Sequence, residues 1–228
     1  TISNGFRTGF NEAYFIDGAT KAKLIDEHSS SEELIKPMIR GRDIKEYYAD
    51  FADQYVIIVA HGAASSLEKN YPAIFQYLTG FEQKLKARGK VKNGQHHWLE
   101  LDNHPSIEYL KLFEKPKIVY PEITKYLPFF YDLNKHYYSN NKTFFINGEY
   151  LETLVAYLNS KLFKYVFKES FPELQGSSRE LRKVFMEEIP FRMPTEEENE
   201  QFKKWISIIP QNLINGNSIE VIKKELNS

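Results

Sequence analysis

The chain has 228 residues, with 30 Lys and Arg against 31 Asp and Glu, a net charge of −1 and no cysteine. Near-neutrality argues against a free-standing nucleic-acid binder unless basic residues gather on one face. The lack of cysteine excludes disulfide frameworks and cysteine zinc sites. The length fits one large domain or a domain with a small appendage, enough to bury a sizeable core. The 15 Tyr and 17 Phe suit a strand-rich core. No apolar run approaches a membrane span and no secretory leader is visible, so the expected setting is a reducing cytoplasm with no membrane contact. Residue 1 is a threonine in a running segment, which leads to the expectation of a piece of a longer protein.

In chain order, Gly5 and Gly9 mark a turn carrying Arg7, Thr8 and Asn11, and residues 13–17 read as a short strand after it. Residues 29–35 read as a helix start, with serine caps and early glutamates. Residues 36–47 place Arg40 and Arg42 on either side of Gly41, with Asp43 next. Gly41 permits a tight turn, and Pro37 suits a helix's first turn or the position before one. Asp43 can hold one guanidinium, read here as that of Arg42. A charged surface turn with an internal ion pair is the plain alternative. Residues 55–60 are an unbroken β-branched run and a buried strand candidate. In residues 71–86, Ile74, Phe75, Leu78, Phe81 and Leu85 recur at helical spacing.

Residues 88–95 read as a polar loop rich in basic side chains, and residues 96–101 as a strand. Neighbouring His96 and His97 then point to opposite faces and do not share a metal. Residues 110–123 contain Lys115, Lys117 and Tyr120 leading into a strand that Pro121 ends. The two lysines are either solvated at the strand's entrance or presented to a ligand. Residues 126–141 read as loop and residues 143–147 as strand. Residues 150–168 give the best helix, with Leu151, Leu154, Val155, Leu158, Leu162 and Val166 on one face. Its middle carries Asn159-Ser160, unfavourable by propensity and therefore read as packing against backbone or a bend.

The run Gly176-Ser177-Ser178-Arg179, with Arg182 beyond it, suits phosphate contacts or an ordinary loop. Residues 184–193 read as a closing strand. Thr195 with Glu198 forms a capping box for a helix over 195–209, and residues 218–226 a last short helix. The acidic run 196–200 is expected to stay away from any phosphate backbone.

Reacting chemistry is not visible. The adenine-gripping Asn/Asp-Pro-Pro-Tyr/Phe loop, the glycine-rich phosphate loop and the serine nucleophile elbow are all missing from the sequence. Glu82-Gln83-Lys84 matches a nuclease triplet without a placed partner acid and reads as a solvated helix face.

Two stretches carry a resemblance. The run Gly5-Phe6-Arg7-Thr8-Gly9-Phe10-Asn11-Glu12-Ala13-Tyr14-Phe15-Ile16 is followed by Pro37-Met38-Ile39-Arg40-Gly41-Arg42-Asp43-Ile44. The central strand at Lys115–Pro121, Leu158-Asn159-Ser160-Lys161 and Glu188-Ile189-Pro190 come after them in order. Together they resemble the TaqI-like C-terminal specificity domain, the target recognition domain of adenine-specific DNA methyltransferases and fused restriction–modification enzymes. The likeness covers residues 5–190.

It implies a mixed α+β domain over residues 1–194, with a twisted sheet and packed helices, and a small helical extension over 195–228. It implies a monomer that binds double-stranded DNA and performs no catalysis itself. A linked N-terminal methyltransferase domain would use S-adenosylmethionine, this fragment holding no cofactor or metal. The contacts it implies are Arg7, Thr8, Asn11, Arg40, Arg42, Lys115, Lys117 and Tyr120, with Arg179 and Arg182 on phosphates. Base-reading residues are also expected in loops 86–97 or 124–142. The competing readings are a protein-interaction module and a small-molecule enzyme.

Overall fold

The computed structural model describes residues 1–103, 105–134 and 136–226. Its strands are β1 (Ile2–Asn4), β2 (Phe15–Asp17), β3 (Ile35–Ile39), β4 (Gln54–Ile57), β5 (Lys117–Pro121), β6 (Ile123–Thr124), β7 (Phe130–Asp132), β8 (Tyr138–Ser139), β9 (Thr143–Ile146) and β10 (Arg179–Glu180). Strand β5 organises the rest. Side chains alternate across a strand, and here both faces are covered. Ile118 and Tyr120 enter one core with Phe144 and Ile146 of β9, while Val119 enters the other with Phe145 and Phe130.

Three sheets result among the described residues. An antiparallel sheet of order β1-β9-β5-β7 separates the two cores, and β2-β4-β3-β8 lines the first core. A short ribbon pairs β6 with β10. Strand β3 runs antiparallel to β4 and parallel to β8. Pro37 lies in β3, not in a helix: it faces Tyr55, and pairing with β8 begins at the next residue, Met38. A residue without an N–H is tolerated at such a change of partner.

The second core is built by helices Leu151–Leu158 and Lys161–Ser170 and by Ile206 and Ile209 of helix Glu196–Ile214. The last of these opens on the expected capping box: Glu198 N–H donates to Thr195 Oγ1 at 3.2 Å, and Thr195 N–H to Glu198 Oε2 at 2.7 Å. The fold is α+β with a C-terminal helical part, as the sequence implied.

Several local expectations change. Residues 96–101 form turns, not a strand, although His96 is buried and His97 exposed. The helix read over 71–86 breaks at Gly80 into Pro72–Thr79 and Glu82–Lys86. The closing strand read over 184–193 is a helical turn, Lys183–Met186, followed by irregular chain. The segment 126–141 is not all loop, since it contains β7 and β8.

The long helix read over 150–168 is two helices, and Asn159 explains the break. Its buried amide donates to Phe129 O at 2.9 Å and accepts from Phe129 N–H at 3.1 Å. Ser160 then caps the next helix, accepting from Phe163 N–H at 3.1 Å. Tyr47 N–H also donates to Phe129 O, at 2.9 Å. Asn159→Ala leaves the Phe129 N–H buried without its acceptor. It is expected to lower unfolding free energy by about 2–3 kcal/mol. A change below about 0.5 kcal/mol in denaturant titration contradicts this role.

Candidate nucleic-acid interface

The two arginine-bearing turns are held in different ways. In the first, Phe6 is buried, its N–H donates to Ser139 O at 3.1 Å, and its carbonyl accepts from Asn141 N–H at 2.8 Å. This stitches the turn to residues 139–141. Arg7 projects outward from it. Thr8 is buried, and its hydroxyl donates to Asn11 Oδ1 at 2.6 Å. Thr8 is therefore a brace for Asn11 and not itself a contact surface.

In the second turn Arg40, not Arg42, holds Asp43. Its Nε donates to Oδ2 at 2.8 Å and Nη2 to Oδ1 at 3.0 Å, and the Arg40 N–H adds a bond at 2.9 Å. The spacing explains the choice. Asp43 ends a 3₁₀ turn, Gly41–Asp43, so its carboxylate folds back onto residue 40 three positions earlier. Burial pushes the Asp43 carboxyl upward, but the Arg40 hydrogen bonds and charge outweigh it, and the group lies below its ordinary value. The Arg42 side chain stays 73% exposed, its Nε 4.0 Å from Asp43. Gly41 sits where the walls meet, and a Cβ there would come within 3.1 Å of Pro121 Cβ.

Beside the second turn lies a cleft of about 980 Å³, which Asn11 reaches and Arg7 does not line. Asn11, Arg40 and Arg42 line it, and the sequence named all three. It also takes Lys45, Lys125, Tyr126 and Lys142, which the sequence did not single out, although Lys125, Tyr126 and Lys142 fall in the loop expected to read bases. The two lining acids, Glu46 and Glu122, are occupied: Lys164 and Lys223 each lie 3.0 Å from Glu46, and Lys142 lies 3.3 Å from Glu122. With Asp43 holding Arg40, the five basic side chains meet three acids, which leaves a local positive excess on a nearly neutral chain.

Other named residues lie elsewhere or are committed to the fold. Lys117 is fully buried with its Nζ 2.6 Å from Asp132 Oδ2. Burial pushes its ammonium below the ordinary value, against the pull of Asp132. It is a core ion pair and offers nothing to a ligand. Tyr120 is fully buried in the second core, and burial raises its hydroxyl's pKa. Lys115 is exposed, but six residues before Pro121, roughly 20 Å along an extended chain. Arg179 donates to Phe171 O at 2.5 Å and pairs with Glu173 at 3.2 Å, so it fastens its own loop. Arg182 is exposed and pairs with Glu180 at 2.9 Å. In loop 86–97, Arg88 is not a surface cation at all but lies buried. The triplet Glu82-Gln83-Lys84 is on a helix surface, with Glu82 bound to Lys86 and Lys84 near Glu12.

Residues 36–191 match the TaqI-like C-terminal specificity domain. The chain belongs to that family. The specificity domain also resembles two solved structures. One is the Type IIL restriction-modification enzyme MmeI in complex with DNA, at TM-score 0.65 and 13% identity, over 94% of this chain and 28% of that enzyme. The other is the type IIG restriction endonuclease BpuSI, at TM-score 0.53 and 14% identity, over 91% of this chain and 25% of that enzyme. At these identities the likeness is one of fold. The specificity domain spans about a quarter of the length of these enzymes. No curated protein matches it.

Proposed function

We propose that this chain is the DNA target recognition part of a restriction–modification enzyme and that the cleft beside its Arg40–Arg42 turn receives duplex DNA. One observation carries the reading. Arg42, Lys45, Lys125 and Lys142 come from separated stretches of a chain with net charge −1, yet they line one cleft with Asn11 and Tyr126. Basic groups neutralise phosphates and position the duplex, while Asn and Arg discriminate base edges in the major groove. Family membership and the likeness to a DNA-bound enzyme support the same partner. The cleft's two lining acids are ion-paired, which favours binding over small-molecule catalysis. In the whole protein a linked methyltransferase using S-adenosylmethionine acts on an adenine turned out of the duplex that this domain holds.

The test is salt dependence. Binding to a randomised duplex pool, followed by fluorescence anisotropy, is expected to weaken linearly in log–log form as salt rises. Arg42→Gln with Lys125→Gln is expected to lower that slope by roughly 1.8, at about 0.9 per neutralised phosphate. An unchanged slope removes the cleft from the interface.

A further inference from the structure

Tyr126 is 81% exposed at the lip of the cleft. An exposed tyrosine is common on protein surfaces, but the mounting of this one is not that of a passive surface loop. The Thr124 hydroxyl is buried in the turn and accepts two backbone N–H groups, from Tyr126 at 3.1 Å and from Leu127 at 3.2 Å. Leu127, the next residue, is buried with φ of 54°. A branched side chain in left-handed backbone is held against a cost of about 1–2 kcal/mol, and such strain persists only where the surroundings impose it. Two residues later, Phe129 is fixed by Asn159 and by Tyr47, itself buried at φ of 69°. The loop is pinned on both sides of its tip, and the tip carries an aromatic ring flanked by Lys125.

We propose that Tyr126 is a base-stacking residue: its ring packs on the face of a nucleobase at a step of the bound duplex, with Arg42 and Lys125 on the adjoining phosphates. This deepens the reading of the cleft as a DNA site and rests on it. A ring has little conformational entropy to lose, and a pre-set turn loses less still. Stacking accepts any base face, so the residue adds affinity and fixes register while edge-reading groups select the sequence. Insertion of apolar or aromatic wedges between base steps is a general way to hold a deformed duplex.

The test uses the full-length protein with Tyr126→Ala and Tyr126→Phe, and duplexes selected from a randomised pool carrying 2-aminopurine at successive positions. Tyr126→Ala is expected to weaken binding about tenfold, about 1.4 kcal/mol, with the salt slope and melting temperature unchanged. It is also expected to abolish a 2-aminopurine signal localised at one step. Tyr126→Phe is expected to bind within about twofold of the native protein. Native-like binding by Tyr126→Ala overturns the proposal, as does a loss in Tyr126→Phe equal to that in Tyr126→Ala, which makes the hydroxyl the contact. Absence of salt-dependent duplex binding by the native protein overturns the cleft reading itself and is seen before any variant is made.

Discussion

Arg88→Ala is expected to lower the free energy of unfolding by about 4 kcal/mol, a large share of the roughly 5–15 kcal/mol typical of a folded domain. All five guanidinium donors are used. Nε donates to Leu85 O at 3.0 Å, Nη1 to Thr8 O at 2.7 Å and to Asp102 Oδ1 at 3.1 Å, and Nη2 to Trp98 O at 2.7 Å and to Glu100 O at 2.9 Å. The planar group also lies over the Tyr14 ring at 5.8 Å. Its removal strands buried carbonyls and takes the cation from Asp102, each loss being of order 1–3 kcal/mol and the losses not additive. Arg88→Lys keeps the charge but has three donors without the planar fork, so it is expected to lose about 2–3 kcal/mol. Denaturant titration measures both variants. Equal stability of Arg88→Lys and the native chain sinks the saturated-guanidinium account. Because Arg88 holds the Thr8 carbonyl, the variant is also expected to loosen the turn that presents Arg7 and Asn11.

Lys117→Met is expected to cost about 3–5 kcal/mol. The methionine fills similar space, so packing is not the reason. The substitution removes the cation 2.6 Å from the carboxylate of Asp132, in a place where neither side chain reaches solvent. Asp132 has a further task, accepting Tyr137 N–H at 2.6 Å. The double variant Lys117→Met with Asp132→Asn removes both charges and keeps an oxygen for Tyr137. It is expected to regain about 1–2 kcal/mol of the loss and not all of it, since both variants strand the Phe113 carbonyl that Lys117 Nζ holds at 2.5 Å and the new amide adds buried donors. If the double variant is no more stable than Lys117→Met alone, the penalty does not come from the buried charge.

What the sequence made legible was whatever local chemistry fixes. The β-branched run at Tyr55, the apolar strand ending at Pro121 and the Thr195–Glu198 capping box announced elements that formed. The glycine-bearing turns drew attention to Asn11, Arg40 and Arg42, and these three line one cleft. What stayed hidden depends on partners distant in the chain. Asn159 breaks a well-patterned helix because its amide finds the backbone of Phe129, 30 residues earlier. Lys117 reads as a solvated strand entrance until Asp132, 15 residues on, is brought beside it. Arg88 sits in a basic, glycine-bearing stretch that looks like surface, and only the meeting of Thr8 with residues 98–102 makes it a core residue. Lys45 and Lys142 carry no local mark, since an exposed lysine looks the same in any loop.

The turn at residues 124–127 separates mounting from display. Its geometry is set by the Thr124 hydroxyl and by main-chain groups, which every residue except proline supplies at positions 126 and 127. The side chains at 125 and 126 take no part in those bonds, so they are interchangeable parts on a fixed bracket. Exchanging them alters how tightly a ligand is gripped while the bracket keeps its shape, so grip can be tuned here without disturbing the fold.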